Sequence, residues 1–306
     1  ESMENFTQAV RAAEDAIRDL FEPTPLQRND HLSAKYGADI WLKREDLTPV
    51  RSYKLRGAFN AMRRAGAGPG AHFVCASAGN HAQGVAFACR SMGIPGRIYV
   101  PAATPKQKRD RIKVHGGNMV ELVVTGANFD EASAAAHDYA EETGATIIEP
   151  FAARDTIVGQ GTVAAEILSQ LSAMGKSPDT IVVPVGGGGL ISGILSYLAD
   201  MSPRTAVVGV EPAGAPSLNA ALKAEKPVTL DAVDPFVDGA AVKRIGDINY
   251  QIIEKNLGRL HPLVVSEGAV CTEMIELYQN EGIIAEPAGA LSVTALSELK
   301  LGTNDI

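Results

Sequence analysis

Ile181-Val182-Val183-Pro184-Val185 runs straight into Gly186-Gly187-Gly188-Gly189, and Leu190 to Asp200 then repeats apolar residues at helical spacing. A short β-branched stretch of this kind forms a fully buried parallel strand, and the apolar repeat after it forms a helix. The glycines therefore occupy a strand-to-helix turn. Lacking Cβ atoms, they let backbone N–H groups crowd around an anion, while the first helical turn adds unpaired donors and the positive end of its dipole. A phosphate suits such a turn. The plainer alternative is a tight turn beneath a close helix crossing, because glycine motifs are individually weak. Neither a Walker A loop nor a dinucleotide fingerprint fits. No Lys-Ser or Lys-Thr follows the last glycine, and the spacing is not G-x-G-x-x-G, although Glu211 closes the next strand about 20 residues on.

Upstream of this turn the same grammar repeats. Strand-like Phe73 to Ala76, Arg97 to Val100, Met119 to Val124 and Thr146 to Glu149 alternate with helical Asn80 to Ser91, Lys106 to His115 and Phe129 to Glu142. A second α/β set begins at Thr162 to Leu171, continues through Ile181 to Asp200 and Ala206 to Val210, and returns at Gly268 to Gln279. Alternation of this kind predicts parallel sheets covered by helices. Phe6, Val10, Ala13 and Ile17 add an amphipathic N-terminal helix that ends before Pro23 and Pro25. With no flexible linker between them, the two sets should touch closely.

Two further segments carry chemistry. Lys54, in Ser52-Tyr53-Lys54-Leu55-Arg56-Gly57-Ala58, sits where a helix begins, after strand-like Ala38 to Leu42 and the charged turn Lys43-Arg44-Glu45-Asp46. A lysine on a polar helix is ordinarily a solvated charge. Desolvated at such a junction, its pKa falls toward the neutral nucleophile that condenses with an aldehyde. Phe73 to Ala76 leads into Ser77-Ala78-Gly79-Asn80-His81, a small-residue turn at a helix start whose donors suit a carboxylate. Read alone, that turn is simply a capped helix with His81 as a satisfied polar residue.

Composition narrows the class. The 306 residues are 45% hydrophobic, enough for one large core or two lobes sharing a cleft, and the net charge of −8 argues against nucleic acid or an anionic membrane as partner. No run approaches the roughly 20 apolar residues of a membrane span and no signal h-region opens the sequence, so a cytoplasmic protein is expected. Lys106 to Arg111 reads as a solvated basic helix face. Cys75, Cys89 and Cys271 are widely spaced in apolar contexts, which predicts core positions rather than disulfides or zinc.

Five segments occur in the order found in fold type II pyridoxal-phosphate enzymes: Lys43 to Asp46, Ser52 to Ala58, Ser77 to His81, Val185 to Leu190, and Glu286-Pro287-Ala288-Gly289-Ala290. From about Thr24 onward the chain resembles the threonine dehydratase family, and Phe236-Val237-Asp238-Gly239-Ala240-Ala241-Val242 resembles its biosynthetic branch. The resemblance implies an α/β architecture like the β subunit of tryptophan synthase, with a small mobile lobe over 50–155, a large cofactor-binding lobe from 1–49 and 156–306, and the cofactor between them. Pyridoxal phosphate is the implied cofactor, and Lys54 is implied to bond it and later move the α-proton. Tyr53, Asn80, Gly186, Gly187, Gly188, Gly189, Leu190 and Gly239 are implied around the cofactor, with Asn80 at the ring's 3′ oxygen. Ser77, Ala78, Gly79, Asn80 and His81 are implied to receive the substrate carboxylate.

The implied reaction converts L-threonine to 2-oxobutanoate and ammonia by loss of water, the lyase step that feeds isoleucine biosynthesis. The cofactor phosphate is implied to help protonate the departing hydroxyl. Related serine racemases carry a serine at the place of Ala78, and a methyl group delivers no proton, so racemisation is disfavoured. A serine-preferring dehydratase, or a racemase-like enzyme of the same fold, stays open, as does a cofactor-free binding protein on this scaffold. Relatives imply a homodimer or homotetramer. No metal is expected, because Ser217 stands where an acid completes a cation site near Glu211 and Ala215 in some relatives.

The resemblance also has gaps. After the Glu-Pro-Ala-Gly-Ala helix the family continues into a strand ending in Ser or Thr, whose hydroxyl meets the pyridine nitrogen. Here Ala290 to Leu301 runs directly into Gly302-Thr303-Asn304-Asp305-Ile306, leaving Thr303 as the substitute hydroxyl and predicting a bare sheet edge. No C-terminal regulatory domain sensing isoleucine is expected either.

Overall fold

The computed structural model describes residues 5–306. Helix α1 (Phe6–Ile17) is capped by Asn5, whose side chain accepts from Thr7 N at 2.8 Å, and it buries Val10, Ala13 and Ile17 on one face. Strand β1 (Leu26–Arg28), helix α2 (Asp30–Tyr36) and strand β2 (Trp41–Lys43) follow, and β1 pairs antiparallel with β2. Helix α3 (Lys54–Ala65) then leads into a run of strand and helix in turn: β3 (Phe73–Ala76), α4 (Asn80–Met92), β4 (Gly96–Val100), α5 (Lys106–Gly116), β5 (Val120–Val124), α6 (Phe129–Thr143) and β6 (Thr146–Ile147). These strands form one wholly parallel sheet in the order β5-β4-β3-β6.

The long helix α7 (Arg154–Ser172) crosses to the second unit. That unit comprises β7 (Thr180–Pro184), α8 (Gly189–Met201), β8 (Ala206–Pro212), α9 (Ser217–Ala224), α10 (Asp247–Glu254), β9 (Leu260–Val265), α11 (Glu267–Glu281) and α12 (Pro287–Thr294). Its sheet is parallel in the order β7-β8-β9. The expected α/β architecture with two mainly parallel sheets is what the chain adopts. Buried residues gather on both sheets: Val85, Ile98 and Ile112 among those of the first, Val183, Ile191 and Val207 among those of the second.

Helices α3, α7 and α8 join the two units through glycine contacts. A Cβ on Gly159 of α7 would collide with the Arg56 carbonyl and Gly57 Cα of α3, so the two backbones touch with no side chain between them. β7 lies at one side of its sheet, and among the described residues no strand pairs with its outer edge, as the sequence led one to expect. Only its base is held there, where Asp179 N and Thr180 N donate to the Ile306 carbonyl at 2.8 and 3.1 Å. Thr180 to Pro184 otherwise face a cleft of about 2050 Å³ that also reaches Lys54, Asn80 and Glu286.

Three expectations need correction. Cys75 and Cys89 are buried, but Cys271 is exposed, because its position on α11 faces away from the core. The Lys106 to Arg111 face is not simply solvated: Gln107, Lys108 and Arg111 reach the cleft, and Lys108 Nζ pairs with Asp238 at 2.5 Å. α7 begins at Arg154, well before Thr162, since its early turns bury Ile157 and Val158 beneath α3.

Candidate active site

Lys54 is the first residue of α3, half-buried on the cleft wall. Its Nζ donates to the Pro150 carbonyl at 3.4 Å and lies 5.4 Å from the Tyr53 ring centre and 6.0 Å from that of Phe151. Burial lowers the amine's pKa to about 8, and the Glu286 carboxylate offsets only part of that effect. A lysine in this setting is neutral far more often than one in water, which makes it a usable nucleophile and base.

The glycine turn faces the lysine across the cleft. Gly186, Gly187 and Leu190 line the wall, and Gly188 and Gly189 carry the turn on into α8. Gly188 has φ 99°, the left-handed conformation, and precedes the first turn of α8. A Cβ on Gly187 would run into the Phe151 ring, so only glycine lets the turn press so closely on that aromatic. Asn249, fully buried, ties the arrangement by donating to the Phe151 carbonyl at 2.9 Å and to Ser192 Oγ at 3.2 Å. A bare backbone turn at the start of a thirteen-residue helix, facing a desolvated amine, fits an aldehyde cofactor with a phosphate tail.

A third wall comes from the start of α4. Asn80, its first residue, donates through Nδ2 to Glu286 Oε1 at 2.6 Å. Glu286 is the residue before α12, and a Cβ on Gly239 would meet Ala288 Cβ at 2.9 Å and Asn80 Nδ2 at 3.9 Å. Gly239 thus lies beside the Asn80–Glu286 pair. Burial raises the Glu286 pKa, with the Asn80 hydrogen bond opposing.

The Ser77–His81 turn reaches the cleft at every residue. Ser77 Oγ accepts from Gly79 N at 3.2 Å, so that backbone donor is already engaged. His81 is buried, with Nε2 2.8 Å from the Ile148 carbonyl and no partner for Nδ1. Because a carbonyl only accepts, Nε2 carries the proton and Nδ1 presents a lone pair. Burial first, and then the nearby Lys54 charge, lower the His81 pKa to about 4, which keeps the ring neutral. An imidazole lone pair repels a carboxylate, so the backbone of the turn is better suited to that anion than the His81 side chain.

Thr303 lies exposed in the last turn and is absent from the cleft wall, so it does not replace the expected hydroxyl. Glu211 is fully buried and caps α9, accepting from Leu218 N and Asn219 N, each at 2.8 Å. Sequence reasoning missed Phe151, which lies in no motif, and gave Glu286 no role although it opens one. The apolar context Pro150-Phe151 between two predicted elements was the available signal for the former.

The family profile described as "Pyridoxal-phosphate dependent enzyme" matches residues 17–304. The chain belongs to that family. Enzymes of the family depend on pyridoxal phosphate, the group that the lysine, the glycine turn and the Asn80 wall fit. A biosynthetic L-threonine dehydratase from Corynebacterium glutamicum is 64% identical over 304 residues, covering 97% of this chain and 68% of that protein. One from Mycobacterium tuberculosis is 57% identical over 290 residues, covering 94% and 67%. Among solved structures, the processed form of threonine deaminase isoform 2 from Solanum lycopersicum superposes with a TM-score of 0.89 at 32% identity, over all of this chain and 88% of that one. Maize serine racemase superposes with a TM-score of 0.86 at 29% identity, covering 95% and 85%.

Proposed function

We propose that the chain is a pyridoxal-phosphate-dependent L-threonine dehydratase, releasing 2-oxobutanoate and ammonia. The observation that carries this reading is the half-buried Lys54 amine, bordered by Tyr53 and Phe151 and facing the Gly186–Gly187 turn in one cleft. Relatives named threonine dehydratase at 57 and 64% identity support the substrate class.

In this reading Gly186 to Leu190 would hold the phosphate, Tyr53 and Gly239 would lie beside the ring, and Asn80 would serve its hydroxyl oxygen. The Ser77 to His81 turn, with Ala78 and Gly79, holds the substrate carboxylate. Bound pyridoxal phosphate supplies the electron sink for negative charge at the substrate α-carbon. Lys54 would hold the cofactor through its amine, and the same amine would take the α-proton of the substrate. A neutral amine is needed for that, and its pKa near 8 leaves a substantial neutral fraction at ordinary pH. The Ala78 methyl on the cleft wall offers no proton to the opposite face, which favours elimination over racemisation.

The two sheet units would act as a small lobe, 50–155, and a large one, 1–49 with 156–306, and a homodimer or homotetramer is the proposed assembly. Among the described residues no helix is long and apolar enough to cross a membrane.

The test is 2-oxo acid release by purified protein supplied with pyridoxal phosphate. Threonine should yield 2-oxobutanoate faster than serine yields pyruvate; a clear preference for serine overturns the substrate assignment. The protein should be yellow, with borohydride fixing the chromophore on Lys54. A colourless protein lacking that adduct overturns the enzyme reading.

A further inference from the structure

Glu286 touches the Asn80 wall and lines the same cleft as Lys54. Its Oε1 accepts from Asn80 Nδ2 at 2.6 Å, and its charge acts on Lys54. Charged groups facing it are Asp238 beside Gly239, Lys108 on α5 and Lys54 on α3, and the neutral His81 on α4 faces the same lysine. A carboxylate only accepts, so it fixes the Asn80 amide with nitrogen toward Glu286 and oxygen away, leaving one further N–H as the amide's remaining donor.

We propose that Glu286 is a positioning residue for the reaction: it sets which way the Asn80 amide presents its donor to the cofactor, and it faces the Lys54 ammonium with a negative charge. The inference rests on the reading of Lys54 and Asn80 as cofactor residues. Burial makes the arrangement responsive to pH. It lifts the Glu286 pKa, so on acidification the carboxyl gains a proton earlier than a solvated glutamate, and the neutral acid no longer obliges Asn80 to donate, because its own O–H can donate to an amide oxygen.

Two measurements on wild type, Glu286→Gln and Glu286→Ala test it, one of them independent of catalysis. In protein stripped of cofactor, the pH midpoint for labelling Lys54 with an amine-reactive reagent should fall by about one unit in both variants, because the opposing charge is gone. Cofactor affinity, read by absorbance titration, should fall about tenfold in Glu286→Ala and less in Glu286→Gln, whose amide oxygen still accepts from Asn80. In an Asn80→Ala background that affinity effect should disappear. An unchanged labelling midpoint overturns the charge role, and an affinity loss undiminished in Asn80→Ala overturns the positioning role. If wild type binds no cofactor, the functional reading fails instead, while the labelling midpoint still decides the charge role. Matching thermal unfolding of Glu286→Gln and wild type keeps misfolding out of the comparison.

Discussion

At the residue scale the proposed chemistry concentrates in Lys54, and its surroundings explain why. Lys54→Ala should abolish turnover, measured as 2-oxobutanoate release, while Cys271→Ser should leave it near wild type because that thiol is exposed on α11 and does not line the cleft. Gly187→Ala places a methyl group within the Phe151 ring. The turn or the aromatic must then move, at about 1 to 3 kcal/mol. Cofactor affinity should fall by about tenfold or more, measured by absorbance titration. Lys54, Asn80 and the glycines were legible because each opens or follows an element with a strong pattern. Glu286 and Phe151 were not, since their partners lie far away in sequence and only folding brings them together.

At the element scale, a buried charge cluster fixes the helix that starts with Lys54. Arg56, fully buried on α3, pairs with Glu45 at 2.5 Å and with Glu166 of α7 at 2.6 Å. Lys43 and Arg18 also contact Glu166, at 2.8 and 2.7 Å. Burial pushes the Glu166 carboxyl up, but hydrogen bonding and charge from Arg56, with Lys43 and Arg18, outweigh it and hold the pKa at about 2. Its stabilising contribution is therefore complete above the ordinary value of 4.5 and is lost as pH falls toward about 2. Glu166→Gln should cost about 3 to 5 kcal/mol in urea unfolding at pH 7, with the difference from wild type shrinking below pH 4.5. The sequence showed Arg56 and Glu166 only as ordinary helix charges; nothing in periodicity marks a charge that will lose its water. Strand β9 escaped for another reason. Pro262 interrupts Leu260–Val265, and proline is tolerated there because β9 stands at the sheet's edge.

For the whole molecule, two parallel sheets and their close approach were readable from the alternation of strand and helix, but the residues through which they meet were not. The glycine contact between α3 and α7 and the Lys108–Asp238 pair join the units through residues that look unremarkable one at a time. The open flank of β7 has a measurable signature. Amides locked between neighbours resist deuterium, while those turned toward a wide water-filled gap do not. In native-state exchange, amides of residues 181–183 that point into the gap should label orders of magnitude sooner than those of β8, which is held on both sides. Slow labelling across all of 181–183 would mean that something covers the gap in solution. With the gap open, the strand leading into the glycine turn would be among the fastest-exchanging parts of an interior that is otherwise slow.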